Sequence, residues 1–160
     1  MSIMCVGFNH KTALLAARER MAFLPKQIPA ALADIIKTTS ANEALILSTC
    51  NRTEIYTDTT DFEKILMWLC EQGQMAVEVV RPLLYQYTDN EVLNHVLRVA
   101  TGLDSMMLGE PEILGQVKQA YSMAAKANTL GLVFKNLFPL VFATTKKVRT
   151  DTDIGRNPVS

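Results

Sequence analysis

The sequence predicts an α+β fold on three observations. Four short apolar runs, at 2–8, 44–47, 54–57 and 83–87, have the length of strands rather than helices. Helical patterns separate the first run from the second and the third from the fourth. Beyond residue 88 the chain turns helical in pattern.

Taken in order, the run at 2–8 gives way to the polar Asn9-His10-Lys11-Thr12, a strand followed by a loop. Ala13 to Ala22 is alanine-rich and helical, carrying Arg18, Glu19 and Arg20. Pro25 and Pro29 punctuate the next stretch. A second helix is expected from about Pro29 to Lys37, with Ile28, Leu32, Ile35 and Ile36 as its apolar stripe. Ala44–Leu47 and Glu54–Thr57 flank a short polar connection and predict an antiparallel pair. Thr60 and Glu63 have capping-box spacing ahead of Ile65, Leu66, Trp68 and Leu69. Leu83–Tyr87 is the fourth strand. Thr88 and Glu91 repeat the capping-box spacing before Val92, Val96 and Val99. Pro111 suits the first turn of a helix through Ile113, Val117, Ala120, Tyr121 and Ala124. The last pattern uses Phe134, Leu137, Phe138, Val141, Phe142 and Val148. Pro139 within it predicts a kink or two shorter helices.

Apolar residues make up 49% of the chain and charged residues 20%, a globular rather than a disordered composition. Sixteen acidic residues balance sixteen basic ones, so any binding of nucleic acid must rest on a local patch. There is no run of membrane-span length and no signal-peptide pattern at the N-terminus, which suggests a cytoplasmic protein with no membrane partner. The cysteines, at 5, 50 and 70, form neither a disulfide framework nor a zinc-type spacing, so no metal is expected.

Cys5 lies in the apolar Ile3-Met4-Cys5-Val6 and Cys70 follows Trp68-Leu69, settings that fit structural packing. Cys50 differs. It sits in Leu47-Ser48-Thr49-Cys50-Asn51-Arg52-Thr53-Glu54, among hydroxyls, an amide and a cation that can hold a substrate and favour a thiolate. Cys50 is therefore the candidate nucleophile. The chain has two histidines that could assist it. His95 borders the apolar face of its helix, where a half-buried structural histidine is the plainer reading, and His10 fits a turn as well as a catalytic role. Residues 102–116 form a second unusual stretch, in which Asp104, Ser105, Glu110 and Gln116 surround Met106-Met107-Leu108 and helix breakers. It reads either as a helix connection or as a loop folded over a pocket. Lys146, Lys147 and Arg149 fit a solvated helix end, with an RNA phosphate contact as the alternative.

Four segments together resemble the N-terminal catalytic domain of the glutamyl-tRNA reductase family. They are Gly7–Ala13 with Arg18-Glu19, Leu47–Glu54, Gly102–Ser105 with Leu108–Pro111 and Ile113–Gln116, and Val148–Thr150 with Thr152–Gly155. The resemblance implies a ferredoxin-like antiparallel sheet with packed helices, followed by a helical segment. It implies a catalytic domain over residues 1–150, with 151–160 beginning the connection to an NADPH-binding domain that this sequence does not contain.

In that family the loop cysteine attacks the aminoacyl ester of glutamyl-tRNA, and NADPH reduces the resulting thioester to glutamate-1-semialdehyde for tetrapyrrole biosynthesis. The resemblance maps the nucleophile onto Cys50 and the activity-supporting histidine onto His95. It maps the glutamate pocket onto Thr49, Asn51, Arg52, Ser105, Glu110, Pro111, Glu112 and Gln116. It further implies homodimerisation through a C-terminal domain and product transfer to glutamate-1-semialdehyde aminomutase. Glu112 stands where the family usually has glutamine, and Leu14 replaces a common proline. Two other classes fit the same residues. One is a cysteine-dependent esterase or acyl transferase without a hydride step; the other is a non-catalytic tRNA-binding domain.

Overall fold

Alternation along four strands builds the sheet. The computed structural model describes residues 2–105 and 112–152. Strands β1 (Met4–Asn9), β2 (Ala44–Ser48), β3 (Arg52–Thr57) and β4 (Tyr85–Thr88) lie in the order β2-β3-β1-β4, every neighbouring pair antiparallel. Helices α1 (Leu15–Met21) and α2 (Ile28–Thr38) join β1 to β2, and α3 (Phe62–Gly73) and α4 (Val77–Val80) join β3 to β4. This order and connection pattern is the ferredoxin-like arrangement. The helices α5 (Asn90–Ala100), α6 (Glu112–Lys126) and α7 (Leu132–Thr152) follow it.

The period of two along each strand sends alternate side chains to opposite layers. Phe8 packs with Ala13, Met21, Leu66, Cys70 and Val80 on the α1–α4 side. Glu54 and Tyr56 face the other way, toward His95 on α5 and Phe138 on α7. The sheet is thus covered on both faces, and Tyr56, Leu45 and Ile46 are almost wholly buried between layers. Among the described residues, no helix is long and apolar enough to cross a membrane.

Three local expectations change in the folded chain. Asp61, not Thr60, caps α3 by accepting from Lys64 N at 3.4 Å, while Glu63 turns outward to Arg81 at 2.7 and 2.9 Å. Glu91 does reach back to Thr88 N at 3.4 Å, but the Thr88 hydroxyl bonds Glu91 instead of the helix, so only half of a capping box forms. Pro139 lies within one helix rather than between two. Proline removes a single N–H, and Phe134 and Phe138 before it, with Val141 after it, are buried and keep α7 packed on both sides.

The start of α7 is held by a residue far away in sequence. Glu43 is 5% exposed, and its carboxylate accepts from Gly131 N at 2.7 Å, Val133 N at 3.2 Å and Phe134 N at 2.9 Å. An anion there satisfies otherwise unpaired donors and meets the positive end of the helix dipole. Glu43→Ala is expected to lower stability by about 2–3 kcal/mol, measured by urea unfolding, because buried N–H groups lose charge-assisted bonds. A loss below about 0.5 kcal/mol, the size of an ordinary surface substitution, would show that water replaces the carboxylate there.

Candidate active site

Cys50 stands at the tip of the β2–β3 hairpin and is exposed. The last strand pair is Ser48 with Thr53, and Thr49 N then donates to Arg52 O at 2.8 Å. The return bond runs from Arg52 N to the Thr49 hydroxyl at 3.2 Å, and Asn51 N donates to the same oxygen at 3.2 Å. Neither Cys50 nor Asn51 has a positive φ, so this two-residue connection does not use the primed turns common in hairpins. The threonine hydroxyl supplies the acceptor that lets ordinary L-residues make the turn.

Arg18 of α1 straps this tip to the neighbouring loop. Its Nη1 donates to Cys50 O at 3.0 Å and to Asn51 Oδ1 at 3.5 Å, and its Nε donates to Ala13 O at 3.2 Å. A cleft beside the thiol is lined by Thr49, Asn51, Arg52, Ser105, Ile113 and Gln116.

Behind the cleft lies a buried polar hub centred on Glu54. Its Oε1 accepts from Tyr56 OH at 2.7 Å. Its Oε2 accepts from Arg52 Nη1 at 3.2 Å and Tyr85 OH at 2.5 Å, and is bonded to His95 Nε2. Four partners match the acceptor capacity of a carboxylate. Gly7 opposite makes room for this side chain, since a Cβ there would come within 2.8 Å of Glu54 Cγ. Arg52 continues the network to Asp104, donating from Nη1 to Oδ2 at 3.1 Å and from Nη2 to the carbonyl at 2.6 Å. His95 stacks on Tyr87 with ring centroids 4.3 Å apart.

Burial alone would raise the Glu54 carboxyl, but the His95 hydrogen bond and the His95 and Arg52 charges outweigh it and hold the group at about 2. Burial opposes the charge on Arg52, yet Glu54, Tyr85 and Asp104 raise its pKa further. Burial pushes the Cys5 thiol well up, with Glu54 adding to the effect. Cys5, Glu54 and His95 bring donor atoms within 4.8 Å of one another. A cation among them would have to displace the donors that already occupy Glu54.

The folded chain thus brings Cys50, Thr49, Asn51, Arg52, Ser105 and Gln116 together. It does not bring His95 to the same cleft: His95 is 5% exposed, bonded to Glu54, and borders a separate depression with Tyr87, Glu91, Asn94, Arg98 and Asp104. Arg52 is 2% exposed, and three of its five donors are engaged among the described residues. Glu112 is exposed in the first turn of α6. Glu110 and Pro111 lie outside the described residues. Sequence reasoning assigned no role to Glu54, Asp104, Tyr85 or Arg18. One signal was available, because Arg52, Glu54 and Tyr56 alternate along β3 and so share a face.

Comparison with known proteins places the fold and the family. The family model for the glutamyl-tRNAGlu reductase N-terminal domain matches residues 6–152. The chain belongs to that family. It is 48% identical over 160 residues to a glutamyl-tRNA reductase of Coxiella burnetii, covering 100% of this chain and 39% of the relative. A glutamyl-tRNA reductase of Pseudomonas aeruginosa is 47% identical over 162 residues, with 38% of its length covered. Among solved structures, the glutamyl-tRNA reductase of Methanopyrus kandleri superposes with a TM-score of 0.79 at 31% identity, over 99% of this chain and 37% of that one. The chain therefore spans somewhat over a third of the length of these family members.

Proposed function

We propose that this chain is the part of a glutamyl-tRNA reductase that captures the glutamyl group. Cys50 Sγ attacks the carbonyl carbon of the ester joining glutamate to the terminal ribose of tRNA. The S–C bond forms, the C–O bond breaks, and the ribose oxygen leaves with the thiol's proton. An aminoacyl ester is already activated, so placement and oxyanion stabilisation matter more than a strong base. The carrying observation is the exposed thiol on a hydrogen-bonded hairpin tip, beside a cleft that holds the buried Arg52.

Within that reading, Arg52 receives the substrate carboxylate through the two donors that Glu54 and Asp104 leave unused among the described residues. Thr49, Asn51, Ser105 and Gln116 complete the pocket, with Glu110, Pro111 and Glu112 following on the same connection. His95 acts at one remove, through Glu54, as a positioning group for Arg52.

In the family's reaction NADPH would supply the hydride that turns such a thioester into glutamate-1-semialdehyde. The residues here do not fit that cofactor: the sequence has no G-x-G-x-x-G run, and its sheet is antiparallel rather than the parallel sheet of a dinucleotide fold. On this reading NADPH binding and homodimerisation belong to other residues, and the product aldehyde passes to glutamate-1-semialdehyde aminomutase.

The test is to incubate the chain with glutamyl-tRNA, quench in acid and search by mass spectrometry for a glutamyl group on Cys50. An adduct on that residue is expected. Charged tRNA left intact without an adduct would reject the reading, and unaltered tRNA binding by the chain would then favour a non-catalytic domain.

A further inference from the structure

The formal net charge of the chain is zero, yet two cations near Cys50 are in no ion pair among the described residues. The register of the sheet puts them there. Asn9, the last residue of β1, pairs with Arg52, the first of β3. The loop from His10 to Ala13 therefore emerges at the same end of the sheet as Cys50 and Asn51. Its shape is set by Asn9, whose carbonyl accepts from Thr12 N at 3.0 Å and Ala13 N at 2.9 Å, and whose Oδ1 accepts from Lys11 N at 2.9 Å.

Two cations belong to this end of the sheet. Lys11 is exposed and is in no ion pair among the described residues. Arg18 bonds three neutral acceptors, Cys50 O, Asn51 Oδ1 and Ala13 O, through Nη1 and Nε, and among the described residues its charge has no carboxylate partner and its Nη2 no acceptor. Of the nearby acids, Asp104 and Glu54 pair with Arg52, Glu19 lines a groove between α1 and α2, and the exposed Glu112 opens α6 beside Ile113 of the cleft. His10 senses the resulting field. Its pKa is lowered by burial and then by Arg52, Lys11 and Arg18, against a smaller opposing effect of Asp104.

We propose that Lys11 and Arg18 form a phosphate site for the terminal nucleotide of the tRNA, adjacent to the ester that Cys50 attacks. The inference rests on the reading of Cys50 as the nucleophile. The chemistry of the substrate requires such a neighbour, because the ribose that bears the ester carries a phosphodiester on its other side. An Nη2 and an ammonium with no partner among the described residues suit a phosphodiester, and Arg52, already neutralised by two carboxylates, is left to the amino acid. The sites thus divide the substrate: Arg52 for glutamate, Lys11 and Arg18 for the nucleotide that departs.

The experiment uses two substrates and one RNA probe. Single-turnover labelling of Cys50 is followed with glutamyl-tRNA and with a small glutamyl thioester that has no nucleotide. Affinity for an uncharged minihelix ending in CCA is measured across a salt series. Lys11→Ala is expected to lower the ratio of the two labelling rates by about fivefold to tenfold, to weaken the minihelix to a similar degree and to make the salt slope shallower by about 1. Arg18→Lys keeps the charge but loses the fork, and serves as the second variant. An unchanged rate ratio with unchanged RNA affinity overturns the proposal. So does a proportional loss of both rates, which would assign Lys11 to the placement of Cys50. If neither substrate labels Cys50 while minihelix affinity still depends on Lys11, the nucleophile reading fails and the phosphate site stands.

Discussion

Cys50→Ser is expected to reduce glutamyl transfer to the chain by at least about a thousandfold. A hydroxyl needs a positioned base to become a nucleophile, whereas a thiol needs far less help. Among the described residues no side chain hydrogen-bonds Cys50 Sγ: His95 is bonded to Glu54, and His10, in the loop after β1, makes no hydrogen bond to it. A serine at the same point would therefore be left unactivated. Because Cys50 is exposed, the substitution should leave stability within about 0.5 kcal/mol of the parent. The adduct assay and a thermal melt run on the same preparation separate the two effects. Labelling of the variant at the parent rate would reject Cys50 as the attacking atom.

Removal of Glu54 is expected to be the most damaging change to stability. The carboxylate is 0% exposed and receives Tyr56, Tyr85, Arg52 and His95. Glu54→Ala leaves the buried Arg52 with Asp104 alone, and the loss of one partner from a buried charged pair costs about 3–5 kcal/mol. Glu54→Gln preserves the shape but points an amide donor into a ring of donors, so it should recover only part of that loss.

The pH dependence carries a definite sign. The Glu54 carboxyl sits at about 2 in the folded chain against an ordinary 4.5. Between those values the unfolded chain binds the extra proton and the folded chain does not, so stability rises with pH across that window. The contribution is complete above about 4.5 and is lost as pH falls toward 2. Urea unfolding at about pH 7 and about pH 3 should show a smaller acid loss in Glu54→Gln than in the parent. Equal losses would mean that other carboxylates dominate acid unfolding.

Much of the fold was legible because its signals are local. The short runs at 44–47 and 54–57 appear as β2 and β3, with Cys50 at their connection, because strand length and a polar gap can be read within a dozen residues. The stripe of Ile28, Leu32 and Ile35 appears as the buried face of α2 for the same reason. The cap of α3 shifted by one residue because Thr60, Asp61 and Glu63 all suit a helix start and only the packed geometry selects among them. At the site, the polarity around Cys50 marked the hairpin tip. Nothing in the local pattern indicated that Arg52 would be buried beneath it.

By itself the sequence determined the order of strands and helices, the hairpin that presents Cys50, and the division between packed and polar cysteines. Each follows from periodicity or composition over a few neighbouring residues. Tertiary structure alone decided which polar groups meet. Glu54 reaches Tyr85 and His95 across 31 and 41 residues, Glu43 caps a helix 88 to 91 residues away, and Arg18 holds Cys50 across 32. A buried charge must find partners wherever the sheet register and helix packing place them, and no short-range spacing encodes that choice.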